Sequence, residues 1–249
     1  MLLTNTTSLI TGGTKGIGAA TALALAQQGS NISICARTIG KESAALQSQI
    51  EKLGRKFLAI TADVSIPDDA RRTVRQTVEH FGGIDVLVHS AGGPTPGSLM
   101  ELTPEKWHAA FNTHVHPIIH LCQEAVPVMK RKQQGAIIFI SSAAGLRGVL
   151  GALAYQAVKG ILPQLTRALA RETAADNIRV NCVAPGVIRT DFHNAMSPET
   201  KKNNLDNRIP LKKEGTSEQC AHLIRELITN DYITGETVSI DGGLTMRIC

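Results

Sequence analysis

The sequence predicts an α/β fold, a doubly wound parallel sheet of seven strands in a three-layer α/β/α sandwich formed by a single domain over residues 1–249. Three observations predict it. Seven short apolar or β-branched runs (SLIT, NISICA, KFLAIT, IDVLVHS, AIIFIS, IRVNCVA, TVSID) alternate with stretches of helical period. Parallel neighbours must be joined by crossovers, which place helices over both faces of the sheet. No linker rich in Pro, Gly or Ser, internal repeat or low-complexity tract divides the chain.

Helical spacing is carried by residues 16–28, 41–53, 67–81, 104–132, 152–175 and 216–228. Inside the fourth of these, Pro117 has no N–H to bond the carbonyl of Thr113, so a kink beside His114 is expected, with room for water. The stretch from Val187 to Gly215 (187–215) is polar, contains Pro198 and Pro210 and lacks a sustained period. So long an irregular segment is expected to be a substrate lid, with Phe192, His193 and Met196 in it.

Composition narrows the function classes. A 43% hydrophobic content over 249 residues is enough for a large core. The opening MLLTNTTSLITGG has neither a basic region nor a long apolar run, so neither a secretory signal nor a membrane span is expected, and the expected location is cytoplasmic. Five scattered cysteines without CxxC spacing argue against disulfides and zinc. The net charge of +5 is interleaved with acidic residues, and aromatics make up only 3%, so nucleic acid is not an expected partner. A positive surplus suits an anionic dinucleotide or an acyl-phosphopantetheine or CoA substrate.

Thr11-Gly12-Gly13-Thr14-Lys15-Gly16-Ile17-Gly18 follows the first strand and opens the first helix. This is the setting of a dinucleotide-binding turn: Gly12 permits the tight turn, Gly16 lets backbone approach a pyrophosphate, and Gly18 lets helix pack on strand. Unpaired amides at the helix start face the phosphate charge. After the second strand no acid stands ready for a ribose 2′-hydroxyl; Arg37 does, and with Lys15 it can flank a 2′-phosphate. NADP(H) is therefore the preferred cofactor, with NAD(H) as the alternative. Asp63-Val64 and His89-Ser90-Ala91-Gly92 end the third and fourth strands, at the edge where such sheets collect ligand.

Ser141-Ser142 closes the fifth strand, and Tyr155 and Lys159 lie four apart on one helix face. A lone YxxxK pair is usually incidental, but one that follows a strand ending in serine is a candidate site. A phenol of pKa about 10 is a poor base at neutral pH. The Lys159 ammonium is expected to draw it toward working pH.

TGGTKGIG resembles the TGxxxGxG turn of the short-chain dehydrogenase/reductase family, whose Rossmann-type fold has this length. Ser142 lies thirteen residues before Tyr155, as in the family pattern. Asn181 to Thr190 resembles the family's PG turn, and Ile233-Thr234-Gly235 and Ile240-Asp241-Gly242-Gly243 resemble its last strand and exit, so matches run from Thr11 to Gly243. The resemblance implies an NADP(H)-dependent oxidoreductase moving hydride between nicotinamide and a carbonyl or secondary alcohol. The overall appearance is similar to 3-oxoacyl-thioester reductases, so an acyl thioester is one substrate class. Tyr155 would be the general acid/base, Ser142 would donate to the substrate oxygen, and Lys159 would bond the nicotinamide ribose. Asp63 would bond the adenine amino group, Val64 cover the ring, Ala91 and Gly92 lie by the cofactor ribose, and Pro185, Gly186, Ile188 and Thr190 hold the carboxamide. Association as a homo-oligomer, tetramer or dimer, through 104–132 and 152–175 is also implied.

Two departures stand out. The usual Asn-Asn-Ala-Gly reads His89-Ser90-Ala91-Gly92, and the asparagine expected seven residues after Trp107 is His114. Asn112 faces about 200° away at about 100° per residue and is no substitute. His114, titratable near neutrality, is expected to take over the proton relay. His114, His116 and His120 are expected to be packed or hydrogen-bonded histidines, not metal ligands. The alternative function is a dinucleotide-binding sensor or scaffold without turnover, which the change at His114 favours; an enzyme of another class on the same fold is a third reading.

Overall fold

The computed structural model describes residues 1–190 and 196–246. Its seven strands are β1 (Thr7–Thr11), β2 (Asn31–Ala36), β3 (Phe57–Thr61), β4 (Val86–His89), β5 (Gly135–Ile140), β6 (Ile178–Pro185) and β7 (Thr237–Ile240). All are parallel, in the order β3-β2-β1-β4-β5-β6-β7. The chain winds outward from β1 to β3, then returns to set β4 on the other side of β1, which opens a crevice at the carboxyl ends of β1 and β4. Register brings those ends level: Thr11 pairs with Cys35 and with His89, and His89 with Phe139.

The described helices of eight or more residues are α1 (Gly16–Gln27), α2 (Lys41–Lys52), α3 (Pro67–Phe81), α4 (Pro104–His114), α5 (His116–Lys132), α6 (Leu153–Thr173) and α8 (Ser217–Thr229); α7 (Pro198–Asn203) is shorter. Leu25 of α1, Ile50 of α2 and Ile224 of α8 are buried on one face of the sheet. Val74 of α3, Leu121 of α5 and Leu162 of α6 are buried on the other. Each large aliphatic side chain removed from water in these layers contributes about 1.5–3 kcal/mol. No described helix is long and apolar enough to cross a membrane.

Two expectations change. The helix predicted over 104–132 is two helices, separated at Val115 (φ −116°, ψ −55°), with Pro117 in the first turn of α5. The proline kink is therefore a complete interruption beside His114. The segment expected to be irregular contains structure, because the Ser197 hydroxyl accepts from the Thr200 N–H and Pro198 opens α7, which runs into a π-turn at Asn204–Arg208. Phe192 and His193 lie outside the described residues.

Candidate active site

A cavity of about 1570 Å³ lies along the carboxyl edge of the sheet. It is lined from the glycine turn at one end, past Ser142, Tyr155 and Lys159, to Met196 and Arg208 at the other. The described residues expected to touch the cofactor line it, with His114: Gly12, Thr14, Lys15, Gly16, Ile17, Gly18, Arg37, Asp63, Val64, Ala91, Gly92, Pro185, Gly186, Ile188 and Thr190.

At the phosphate end, Gly12 and Gly16 have φ of +66° and +55°, a region that side chains other than glycine rarely enter. A Cβ at Gly12 would stand 2.8 Å from the Ala91 Cα, which is why the turn can lie against the end of β4. One at Gly18 would stand 2.3 Å from the Gly12 carbonyl oxygen, so the third glycine brings helix and turn together. Gly13, given no role by the motif, packs on Ile34, where a Cβ would meet Cγ2 at 2.5 Å. Arg37 is exposed at the cavity rim beyond β2. The Asp63 carboxylate accepts from the N–H and hydroxyl of Ser65, at 3.0 and 2.7 Å.

At the chemical end, the Ser142 hydroxyl accepts from the Ala144 N–H at 3.1 Å and is hydrogen-bonded to the Tyr155 phenol. It thus caps the turn after β5 and faces the cavity together. Burial pushes the Tyr155 phenol above its ordinary value, and the Ser142 hydrogen bond pulls it back. The expected downward pull by Lys159 is corrected here: its Nζ donates to the Ile140 carbonyl at 2.7 Å and stands 5.8 Å from the phenol ring centre. Burial lowers the Lys159 ammonium to about 8.

Ser141, the neighbouring serine at the end of β5, has a positioning role. Its hydroxyl donates to the Lys159 carbonyl at 2.7 Å, and Gly145 lies so close that a Cβ would stand 2.6 Å from the Lys159 carbonyl carbon. The turn after β5 is therefore locked to the helix that carries Tyr155 and Lys159. The run of small residues Ser141-Ser142-Ala143-Ala144-Gly145 is the signal in the sequence that could have found this close approach, since Gly145 has no positive φ.

The histidines are the larger surprise. His114 and His89 are both 2% exposed. His114 Nε2 lies 3.0 Å from the Gly93 carbonyl and 3.5 Å from the Gly93 N–H; the shorter contact assigns the proton to Nε2, while Nδ1 is buried without a hydrogen-bond partner among the described residues. Its ring meets Tyr155 edge-on, with centres 5.8 Å apart. The Thr11 hydroxyl accepts from the Ser90 and Ala91 amides and so turns its own proton to His89 Nδ1, 2.9 Å away, which leaves the proton of His89 on Nε2. Titration of His114 near neutrality is corrected: burial first, then the charge of Lys159, lowers it to about 3, and the same causes lower His89 to about 3. Both imidazoles are neutral at physiological pH. His116 Nδ1 pairs with the Asn112 side-chain carbonyl at 2.8 Å, and neither residue lines the cavity.

A family model described as Enoyl-(Acyl carrier protein) reductase matches residues 12–245. The chain is 36% identical over 245 residues to the 3-oxoacyl-(acyl-carrier-protein) reductase FabG of Chlamydia trachomatis, with 98% of each chain covered. It is similar to the structure of a short-chain dehydrogenase from Burkholderia cenocepacia in complex with NADP, with 31% identity, a TM-score of 0.89, and 98% and 99% of the two chains covered. It is also similar to L-sorbose reductase from Gluconobacter frateurii complexed with NADPH and L-sorbose, with 28% identity, a TM-score of 0.91 and both chains covered fully.

Proposed function

Because the chain belongs to the short-chain dehydrogenase/reductase family, whose members here are reductases and dehydrogenases, we propose that it is an NADP(H)-dependent oxidoreductase that interconverts a carbonyl and a secondary alcohol. The observation that carries this reading is the hydrogen-bonded Ser142–Tyr155 pair facing the cavity, with the Lys159 ammonium beside it. Two hydroxyls at one wall suit a carbonyl oxygen, which accepts from both.

The turn fits a dinucleotide, because a Cβ at Gly12 or Gly18 would collide with backbone and Gly16 has a backbone conformation that favours glycine. When bound, the nicotinamide supplies or accepts the hydride. Tyr155 delivers its phenolic proton to the substrate oxygen in reduction and takes it back in oxidation. Ser142 donates a second hydrogen bond to that oxygen and stabilises its developing charge. Lys159, its ammonium held by the Ile140 carbonyl at the cavity wall, would bond the ribose hydroxyls of the nicotinamide. Arg37, with Lys15 across the turn, holds a 2′-phosphate, and the relatives solved with NADP and NADPH support that choice. Pro185, Gly186, Ile188 and Thr190 hold the carboxamide, while Asp63, Val64, Ala91 and Gly92 surround adenine and ribose.

His114 stands beside Tyr155 as a neutral imidazole that helps to position the phenol, since its Nε2 ends on the Gly93 carbonyl, which passes no proton on. The relatives' named substrates include a 3-oxoacyl thioester and a sugar, and a carbonyl of either kind suits the cavity. Association through α5 and α6, where Ile119 and Leu153 are exposed, forms the oligomer, a dimer or tetramer that light scattering would size.

The test is NADPH oxidation against a panel of ketones and 3-oxoacyl thioesters, run beside Tyr155→Phe. Turnover is expected to fall by at least about a hundredfold with NADPH affinity kept. Tyr155→Phe turning over as fast as the wild type would end this reading.

A further inference from the structure

The charges along the cavity are divided unevenly. Its described lining carboxylates, Glu42 and Asp63, both belong to the end that holds Arg37. Beyond Tyr155, where substrate enters, the described lining residues include the cations Lys106, Arg147 and Arg208 and no carboxylate. Elsewhere Arg72 meets Asp69, Arg75 meets Glu124 and Arg189 meets Glu214, while Arg55, Arg167 and Arg179 are held by neutral oxygens but do not line this cavity.

Arg147 and Arg208 are likewise held by neutral oxygens. Arg147 lies in the turn five residues after Ser142, its Nε donating to the Thr245 carbonyl at 3.1 Å and one terminal nitrogen to the Leu146 carbonyl at 3.0 Å. Arg208, in the π-turn after α7, donates to the Asn204 side-chain carbonyl at 2.8 Å. Lys106 reaches the Glu101 carbonyl at 3.3 Å. Carbonyl anchors fix a guanidinium in place without cancelling its charge. A fork fixed in this way, with N–H groups left over, is the arrangement that receives a carboxylate or phosphate.

Resting on the oxidoreductase reading above, we propose that the substrate carries an anionic group, carboxylate or phosphate, received by Arg147 and Arg208 while its carbonyl lies against Ser142 and Tyr155. The anion belongs either to an oxo acid itself or to the phosphate of a phosphopantetheine arm, and the two sources are separable.

With NADPH saturating, acetoacetate is compared with methyl acetoacetate, and S-acetoacetyl-4′-phosphopantetheine with S-acetoacetyl-pantetheine. In one pair the anionic member is expected to have kcat/KM about tenfold or more above its neutral partner, mainly through KM. Which pair responds identifies the source. Arg147→Gln and Arg208→Gln bring that ratio toward one, and Arg147→Lys keeps most of it. Because each protein is judged by its own ratio, partial loss of folded enzyme does not imitate the effect. Ratios near one for both pairs in the wild type, or a ratio unchanged in both glutamine variants, overturn the proposal. If no carbonyl turns over, the oxidoreductase reading fails separately, and calorimetry decides on the anion site. Acetoacetate or 4′-phosphopantetheine is then expected to bind the wild type at least about tenfold more tightly than the double glutamine variant, and equal affinities overturn it.

Discussion

The His114 imidazole lies against the α-carbon of Gly92: a Cβ there would stand 2.6 Å from Cε1 and 2.9 Å from Nδ1. Neither group can give way easily, since the ring is bonded to the Gly93 carbonyl and Gly92 continues from β4. Gly92→Ala is expected to cost about 1–3 kcal/mol in urea unfolding, as overpacked sites do. His114→Ala should recover most of that loss in the double variant. Additive costs in the two single variants would show that the contact carries no strain.

Acid stability follows from the same ring. The unfolded chain takes protons on His89 and His114 near pH 6.5, whereas the folded chain keeps both neutral until about pH 3. The unfolded state therefore binds more protons throughout that window, so stability present above pH 6.5 is lost as pH falls toward 3. Near pH 5 each histidine accounts for roughly 2 kcal/mol of the loss. His114→Asn is expected to flatten the fall between pH 7 and 5 by about that amount, as followed by denaturant titration at each pH.

Cofactor choice is expected to turn on Arg37. Arg37→Ala should raise the Kd for NADPH by about 10–100-fold and leave that for NADH within about threefold, because the charge-assisted bonds lost are made only to the 2′-phosphate. Fluorescence titration with each dinucleotide measures both. Equal weakening for the two would mean that the guanidinium serves the turn and not the phosphate.

Gly18 presents the severest steric demand of the turn. With only 2.3 Å between a new Cβ and the Gly12 oxygen, Gly18→Ala must open the turn, at an expected cost of about 2–3 kcal/mol together with loss of cofactor binding. Gly40→Ala, at a position where a Cβ meets no protein atom within 4 Å, is the steric control and should keep the melting temperature of the wild type without cofactor. Thermal melts with and without NADPH read both effects.

Most of the scaffold was legible in the sequence because parallel strands buried on both faces are near-continuous apolar runs, such as Gly135–Ile140, and these cannot be mistaken for solvent-exposed segments. Tyr155 and Lys159 were legible because one helix turn fixes their relation. The break at Val115 was only half visible: Pro117 marks the disturbance, but whether a helix bends or stops depends on packing that spacing does not encode. The protonation of His114 was hidden for a similar reason. Its pKa is set by burial, by Lys159 and by His89, which lie far apart in the chain, and no local pattern adds up those effects. Arg147 and Arg208 look like ordinary surface cations until the fold places them on one cavity, at an end where none of the described lining residues is a carboxylate.

Because Ser141 and Gly145 clasp the backbone of Lys159, the reacting groups form one stiff block whose inner parts tolerate almost no change. Variation is left to the exposed or half-buried stretch just outside the clasp, from Leu146 to Leu150, whose side chains are expected to be exchangeable without moving Ser142, Tyr155 or Lys159. On the proposed function, recognition and reaction are separable traits, and exchanging neighbours of Arg147 is expected to alter specificity and leave the chemistry in place.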